Sequence, residues 1–392
     1  MRLTHLQLED FRNYPSAELH PDPGLTIVAG PNGAGKTNLL EAIHVAVAGR
    51  SHRAGSDAEM VRHGHAFARV RLDLADPDGR STARVELILP AEDAPPEYRK
   101  RLTLNGLARR AATVGETVRA VLFRPEEMLL LVGAPTDRRR FLDTILAQRD
   151  RLAARDLAEL GRILAQRNAL LRAIRREESS ADGLAFWDEQ LALVGARVTA
   201  ARLALVADLA ATIPALHDAV APAEERSDRV RLSYADTLKD AWPERPPEGA
   251  GPTSLEQLAA AYRRRIHAVR EKELWNGASL VGPHRDDLRV ELGGRDVASH
   301  ASRGQQRTII LALKLAETDL LGSGGAPTPI VLLDDVFSEL DADRSDRLLQ
   351  LLLERGQVLV TIADLASLPG GRRGVSVWQV GEGRLFRAPQ VA

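Results

Sequence analysis

A glycine-rich octapeptide, Gly30-Pro31-Asn32-Gly33-Ala34-Gly35-Lys36-Thr37, follows an apolar run, Leu25-Thr26-Ile27-Val28-Ala29. After it, from Asn38 to Ala48, Leu39, Leu40, Ile43, Val45 and Val47 recur with the spacing of a helix face. Strand, glycine loop and helix in that order commit the chain to an α/β core in which a buried strand delivers the loop at its C-terminal end. The glycines let backbone N–H groups turn inward around an anion, and the helix N-terminus adds its partial positive charge. Lys36 is then placed to reach the outer phosphates of a nucleotide, with the Thr37 hydroxyl on a magnesium ion. A glycine-rich turn of purely structural use matches the pattern but does not call for these flanks.

A phosphate loop does not separate kinases, G proteins, transport motors and DNA motors, so two later segments have to decide. Val331-Leu332-Leu333 is an apolar run ending in Asp334 and Asp335, as expected of a parallel strand facing a ligand crevice. Asp334 would complete the magnesium shell and Asp335 would polarise the attacking water. Alone, the pair would also fit a surface turn. Ser302-Arg303-Gly304-Gln305-Gln306 heads a long apolar-periodic segment, Thr308 to Leu321, and by itself is an ordinary helix cap. Beside the other two it resembles the signature motif of the ATP-binding-cassette superfamily. That resemblance implies that Ser302 and Gly304 grip the γ-phosphate of a nucleotide held by a second copy, that the site closes only in a dimer, and that Asp341 lies in the loop crossing between the halves.

Ser302 stands 266 positions after Lys36, farther than a transporter cassette places it. The excess reads as helix: Leu157, Leu160, Leu164, Leu171 and Ile174, interrupted by Arg167, then Trp187, Leu191, Val194, Val198, Ala201 and Leu205. Steps of three and four fit the seam of a short antiparallel pair, and equally the core helices of a globular subdomain.

Further blocks sharpen the resemblance. They are Leu6-Gln7-Leu8-Glu9-Asp10-Phe11-Arg12-Asn13-Tyr14, Pro125-Glu126-Glu127, Gly133-Ala134-Pro135, Arg138-Arg139-Arg140-Phe141-Leu142-Asp143, Gly282-Pro283-His284-Arg285-Asp286-Asp287-Leu288 and Asp334-Asp335-Val336-Phe337-Ser338-Glu339-Leu340-Asp341. Together they span nearly the whole chain, which resembles the RecF family of bacterial recombination and repair ATPases, related to the SMC and Rad50 proteins. The resemblance implies an α/β fold, a P-loop ABC-type head like those of Rad50 and SMC, built from both chain ends with an inserted all-helical arm. It implies ATP and Mg2+ as cofactors. Nucleotide binding then falls to Gly30, Asn32, Gly33, Gly35, Lys36, Thr37, Asn38, Arg12, Ser302, Gly304, Gln305 and Asp341, the metal to Thr37 and Asp334, and catalysis to Asp335 and Lys36. It also implies a weak DNA-dependent ATPase that dimerises on ATP, binds single- and double-stranded DNA at gaps and junctions, works with the mediators RecR and RecO to load a recombinase, and supports SOS induction. Two positions depart from the superfamily pattern. Val121-Leu122-Phe123-Arg124-Pro125 supplies no glutamine at the junction of the ATPase lobes, and Thr361 stands where a γ-phosphate-sensing histidine is usual. Both favour slow hydrolysis, with ATP acting as a dimer clamp.

Boundaries are expected near 125 and 275: the head's N-terminal part over 1–125, with strands at Arg69 to Leu74 and Thr82 to Leu89 and a hairpin turn at Asn105-Gly106; the arm over 126–275, with a loop from Pro243 to Pro252; and the head's C-terminal part over 276–392, with strands at Val358 to Thr361 and Val375 to Val380. The absence of cysteine excludes disulfides and thiolate metal sites. No basic-then-apolar leader opens the chain and no run approaches a membrane span, which points to the cytoplasm and no membrane partner. A net charge of −1 makes the whole chain no polycation, yet Arg138 to Glu178 holds eleven arginines against six acids, and Arg263, Arg264, Arg265, Arg270 and Lys272 form a second cluster. These stripes suit DNA phosphates, or solvated helix faces in an arginine-rich chain. Aromatic residues, at 4%, offer no evident base-stacking platform. Two other readings stay open, the nucleotide-binding subunit of a membrane transporter, which the long insert opposes, and a structural SMC-like clamp, which the short arm opposes.

Overall fold

In the computed structural model the described residues are 1–80, 82–222, 229–238, 241–242, 254–364, 375–381 and 383–388. The chain packs as two units, one of residues 1–127, 219–223 and 311–392, the other of 128–218 and 224–310.

The first unit opens with β1 (Arg2–Phe11), β2 (Tyr14–Leu19), β3 (Leu25–Ala29), α1 (Lys36–Ala48), β4 (Phe67–Ala75), β5 (Thr82–Pro90), β6 (Arg101–Leu104), β7 (Leu107–Ala108), α2 (Ala111–Val114) and β8 (Ala120–Phe123). Strands β2-β1-β4-β5-β6-β7 form an antiparallel sheet. Its alternation is that of a sheet wet on one side: Leu6 and Leu8 of β1 go inward, while Gln7 and Glu9 stay partly exposed. The β6–β7 hairpin turns at Asn105 and Gly106, both with positive φ, as that dipeptide requires.

The second unit holds α3 (Leu129–Val132), α4 (Pro135–Arg149), α5 (Arg151–Arg175), most of α6 (Leu184–Val220), β9 (Val230–Ala235), α7 (Leu255–Ala268), α8 (Arg270–Asn276), β10 (Asp287–Leu292), β11 (Arg295–Asp296), α9 (Val297–His300) and the start of α10 (Arg303–Gly322). The chain then returns to the first unit with β12 (Ile330–Asp334), α11 (Ala342–Leu353), β13 (Val358–Ile362), β14 (Ser376–Gly381) and β15 (Arg384–Arg387). There β15-β14-β3-β13-β12-β8 make a second sheet, parallel except for β15. Strand β3, buried at all five positions, therefore has both neighbours from the far end of the chain.

Three expectations need correcting in detail. The insert is not all-helical, because β11-β10-β9 form an antiparallel sheet in it. Val230, Leu232 and Tyr234 alternate inward with period two, a pattern that a search for helical spacing passes over. The last boundary falls at 310/311, within α10, rather than at 275/276, so Ser302, Gly304 and Gln305 belong to the second unit. Helix α6 is also long and apolar enough, by length and composition, to cross a membrane. Its apolar content serves the second unit's core, where Leu191, Val194 and Val198 pack with Leu160, Leu258 and Tyr262. The loop from Pro243 to Pro252 lies outside the described residues.

Helices α5 and α6 are an antiparallel pair: Arg197 of α6 bonds Asp156 at 2.9 Å, and Arg167 of α5 bonds Asp188 at 2.9 Å. The pair is not a bare coiled coil, since α7 shares its core. Arg167, which interrupts the apolar series, is fully buried and also donates to Ser279 Oγ at 2.7 Å and Glu273 Oε2 at 2.5 Å. Two distant sequence blocks meet in this unit. Arg138 pairs with Asp287 through two bonds of 2.7 and 2.8 Å, and Arg139 donates to the Asp286 carbonyl at 2.9 Å. Arg202 binds both oxygens of Asp143 and the Pro283 carbonyl.

Candidate functional site

The loop from Gly30 to Lys36 links β3 to α1. Gly33 and Gly35 have φ of +81° and +113°, conformations that disfavour a side chain, and a Cβ on Gly35 would overlap Asn13 at 2.4 Å. Among the described residues no side chain caps α1, and its first turn carries no acid, so the N–H groups there remain available to an anion. Pro31, Asn32 and Gly33 are exposed, whereas Lys36 is only 7% exposed. Its ammonium donates to the carbonyls of Gly30 at 2.7 Å and Pro31 at 3.1 Å. Burial lowers the Lys36 pKa, and the Asp335 and Asp334 carboxylates oppose that shift, which places all three in one electrostatic neighbourhood.

Strand β12 ends on Asp334, whose Oδ1 accepts from the Thr37 hydroxyl at 3.0 Å and the Thr361 hydroxyl at 2.8 Å. Burial raises the Asp334 pKa, both hydroxyls lower it, and the Glu126 and Asp335 carboxylates push it further up. Asp335 sits at φ +50°, its N–H held by the Thr361 hydroxyl at 3.0 Å and carbonyl at 3.2 Å. Its Oδ1 is buried without a hydrogen-bond partner among the described residues. A hard divalent cation fits this set: a threonine hydroxyl and a carboxylate already in contact, with excess negative charge around them.

The turn between β1 and β2 closes over the loop from the other side. The Tyr14 hydroxyl donates to the Gly35 carbonyl at 2.9 Å, the Asn13 amide to the Ala34 carbonyl at 2.9 Å, and the Asn38 amide to Asn13 Oδ1 at 2.7 Å. Arg12 is locked by two 2.9 Å bonds to Glu41, which also receives Arg53 and Ser51. Arg12, Asn13, Asn38, Arg53, Glu59 and Val61 line an open cavity of about 500 Å³.

Burial pushes the Glu41 carboxyl up, but bonds from Arg12, Arg53 and Ser51 outweigh it and hold the pKa at about 2 against an ordinary 4.5. A depressed folded pKa means stability present above pH 4.5 and lost as pH falls towards 2. Glu41→Gln is therefore expected to flatten the acid limb of a pH–stability curve and to lower the neutral-pH melting temperature by about 5 °C. Thermal melts from pH 7 to 3 check this, and an unchanged acid limb would remove Glu41 from that role.

The structure thus gathers Gly30, Asn32, Gly33, Gly35, Lys36, Thr37, Asn38, Arg12, Asp334 and Asp335 in the first unit. Asp341 is in that unit too, but as the N-cap of α11, where it accepts from Arg344 N at 2.9 Å. Ser302 and Gln305 form a capping box at the head of α10, with Ser302 N donating to Gln305 Oε1 at 2.9 Å and Gln305 N to Ser302 Oγ at 3.2 Å. Ser302 and Arg303 are exposed and Gly304 is partly so. Thr361 lies within β13, with its hydroxyl committed to the two aspartates.

Several members were missed in the sequence. Glu126 acts on Asp334 from the lobe junction where a glutamine was sought, and Glu41, Ser51 and Arg53 support Arg12 and Asn38. The available signal was Glu41 itself, an acid between Leu40 and Ala42 in α1, which must find a cation when buried. The arginine stripes also read differently now. Arg138, Arg139, Arg167 and Arg263 are spent on internal partners, while Arg155, Arg162 and Arg172 of α5 are exposed.

The family model for the RecF/RecN/SMC N-terminal domain matches residues 2–383. A DNA replication and repair protein RecF from Roseiflexus castenholzii is 38% identical, over 99% of this chain and 100% of its own length. The chain belongs to the RecF family. A second RecF, from Frankia alni, is also 38% identical, over 99% of this chain and 100% of its own. Among solved structures, the recombination mediator protein RecF-ATPrS of the RecFOR pathway superposes with a TM-score of 0.86 at 26% identity, covering 99% of this chain and 98% of that one. An Smc head bound to the C-terminal winged-helix domain of ScpA superposes with a TM-score of 0.54 at 14% identity and shares the fold. RecF-family membership and the ABC-type α/β fold thus agree with the motifs read from the sequence, and the glycine loop and paired aspartates of this RecF-family chain follow β3 and β12, the two strands that flank β13.

Proposed function

We propose that this chain is an ATP-dependent DNA-binding ATPase of replication and repair, which dimerises around ATP and Mg2+ and engages DNA at gaps or strand junctions. The observation that carries the nucleotide chemistry is the contact of the Thr37 hydroxyl with Asp334 at the mouth of an uncapped helix N-terminus, beside the unpartnered Asp335 Oδ1. Thr37 and Asp334 would hold the magnesium ion, which when bound would neutralise phosphate charge. Lys36 and the α1 N–H groups bind phosphates, while Arg12 and Asn38 present the cavity to the rest of the nucleotide. Asp335 Oδ1 accepts a proton from the attacking water.

Ser302, Gly304, Gln305 and Asp341 act across the dimer, on a nucleotide held by the other copy. The exposure of Ser302 and Gly304 supports this reading, and the family relationship supplies the DNA and mediator partners, RecR and RecO, the recombinase loading and SOS roles, and a cytoplasmic, nucleoid-associated location. Ser302→Arg is expected to leave ATP affinity within about twofold while abolishing ATP-dependent dimerisation, because a long cation replaces a small hydroxyl on a surface that must meet phosphate closely. Sedimentation with and without ATP, Mg2+ and a gapped duplex tests both halves. A Ser302 variant that still dimerises would remove the signature segment from the interface, and a wild type that stays monomeric would overturn the clamp.

A further inference from the structure

On the solvent face of the first sheet, away from the phosphate loop, three nitrogen and oxygen donors converge. His5 is on β1, Glu18 on β2 and His20 just beyond β2, and one ligand atom from each lies within 4.8 Å of the others. The β1–β2 register, Leu6 to Leu19 and Gln7 to Glu18, places His20 across from His5, with Glu18 one diagonal step away on the same face. The two imidazoles stack at 4.4 Å between centroids. On the other side of β1, Asp73 of β4 is the cross-strand partner of His5 and receives its Nδ1 at 3.3 Å. Arg84 fixes Asp73 in turn, at 2.5 Å.

With Nδ1 turned to a carboxylate, His5 keeps Nε2 for another purpose. That atom is buried, has no hydrogen-bond partner among the described residues and stands 3.9 Å from Glu18 Oε2. A histidine oriented by a carboxylate on one nitrogen, with a glutamate 3.9 Å from the other and a second imidazole stacked beside it, supplies the donor set and the carboxylate support that metal ligation uses. We propose that His5, Glu18 and His20 bind one divalent transition ion, with zinc as the ion this donor set favours. Two imidazoles disfavour magnesium and calcium, which take oxygen ligands, and three protein donors leave a position for water. Loading draws the donors inward to roughly 2.0–2.2 Å from the ion. The exposed His20 and Glu18 side chains can make that movement while His5 stays anchored. The ion would staple β2 to β1 at the end of the hairpin opposite Arg12 and Asn13.

The test uses the tag-free full-length chain, stripped with a chelator and titrated with zinc chloride without nucleotide. One zinc per chain is expected, with a rise in melting temperature, and cobalt(II) in its place should give a visible d–d absorption. Glu18→Gln and His20→Ala should each weaken zinc binding by about tenfold or more and abolish the thermal gain. Both positions are solvent-facing, so the metal-free melting temperature and ATP binding should match the wild type, which keeps this site distinct from the nucleotide's metal. A wild type that takes up no zinc, or variants that bind it as tightly as the wild type, would overturn the proposal.

Discussion

Lys36→Ala is expected to reduce ATP affinity by at least about a hundredfold, or about 2.7 kcal/mol. The Lys36 ammonium already sits among loop carbonyls, with Asp334 and Asp335 close enough to act on its charge. A charge-assisted bond to phosphate in so dry a place is among the stronger polar contacts a protein makes. Truncation also leaves the Gly30 and Pro31 carbonyls without that donor, so the metal-free, nucleotide-free melting temperature should be recorded beside the binding isotherm. Equilibrium binding of a fluorescent ATP analogue measures the effect. Wild-type affinity in a folded Lys36→Ala protein would mean that the loop is not the phosphate site.

Asp335→Asn should slow hydrolysis by about two to three orders of magnitude while leaving ATP binding intact, so that the ATP-bound dimer accumulates. Asparagine is the suitable replacement for a structural reason. Asp335 sits at φ +50° and ψ 29°, a left-handed conformation that asparagine tolerates well, and its backbone N–H bonds to Thr361 do not depend on the side chain. What the amide lacks is a carboxylate oxygen able to take a proton. Single-turnover hydrolysis and sedimentation on the same sample separate the two effects, and an unchanged turnover would remove Asp335 from the proton-accepting role. Thr361→Val is a useful companion, since the threonine holds Asp334 and Asp335 together from β13.

Where chemistry is contiguous in the chain it was legible in the sequence. The phosphate loop, the aspartate pair and their strands are each written within ten residues, and β3, α1, β12 and β13 lie where their apolar patterns put them. What escaped depends on long-range pairing. Glu41 means little until Arg12 and Arg53 fold onto it, and the contacts of the Thr361 hydroxyl with the two aspartates exist only once β13 pairs with β12. Charge counts along the chain miss such pairing for the same reason, because Arg138 and its partner Asp287 are far apart in sequence and cancel only in space. The strands of the insert were hidden by their short length and their period of two, whereas Arg167 did mark a break in the apolar series and proved to be the hub of a buried ion network.

The position of β3 between β13 and β14 bears on how the molecule comes into being. During synthesis the phosphate loop leaves the ribosome with its strand lacking both flanking partners, the first of which begins at Val358. At roughly 5–20 residues per second the wait lasts from about twenty seconds to about a minute. The central unit, by contrast, is translated in full within that interval and can fold first. The glycine loop is therefore without the strands that flank β3 until residues beyond Val358 have emerged, and a product terminated before them would carry the loop without the sheet that holds it.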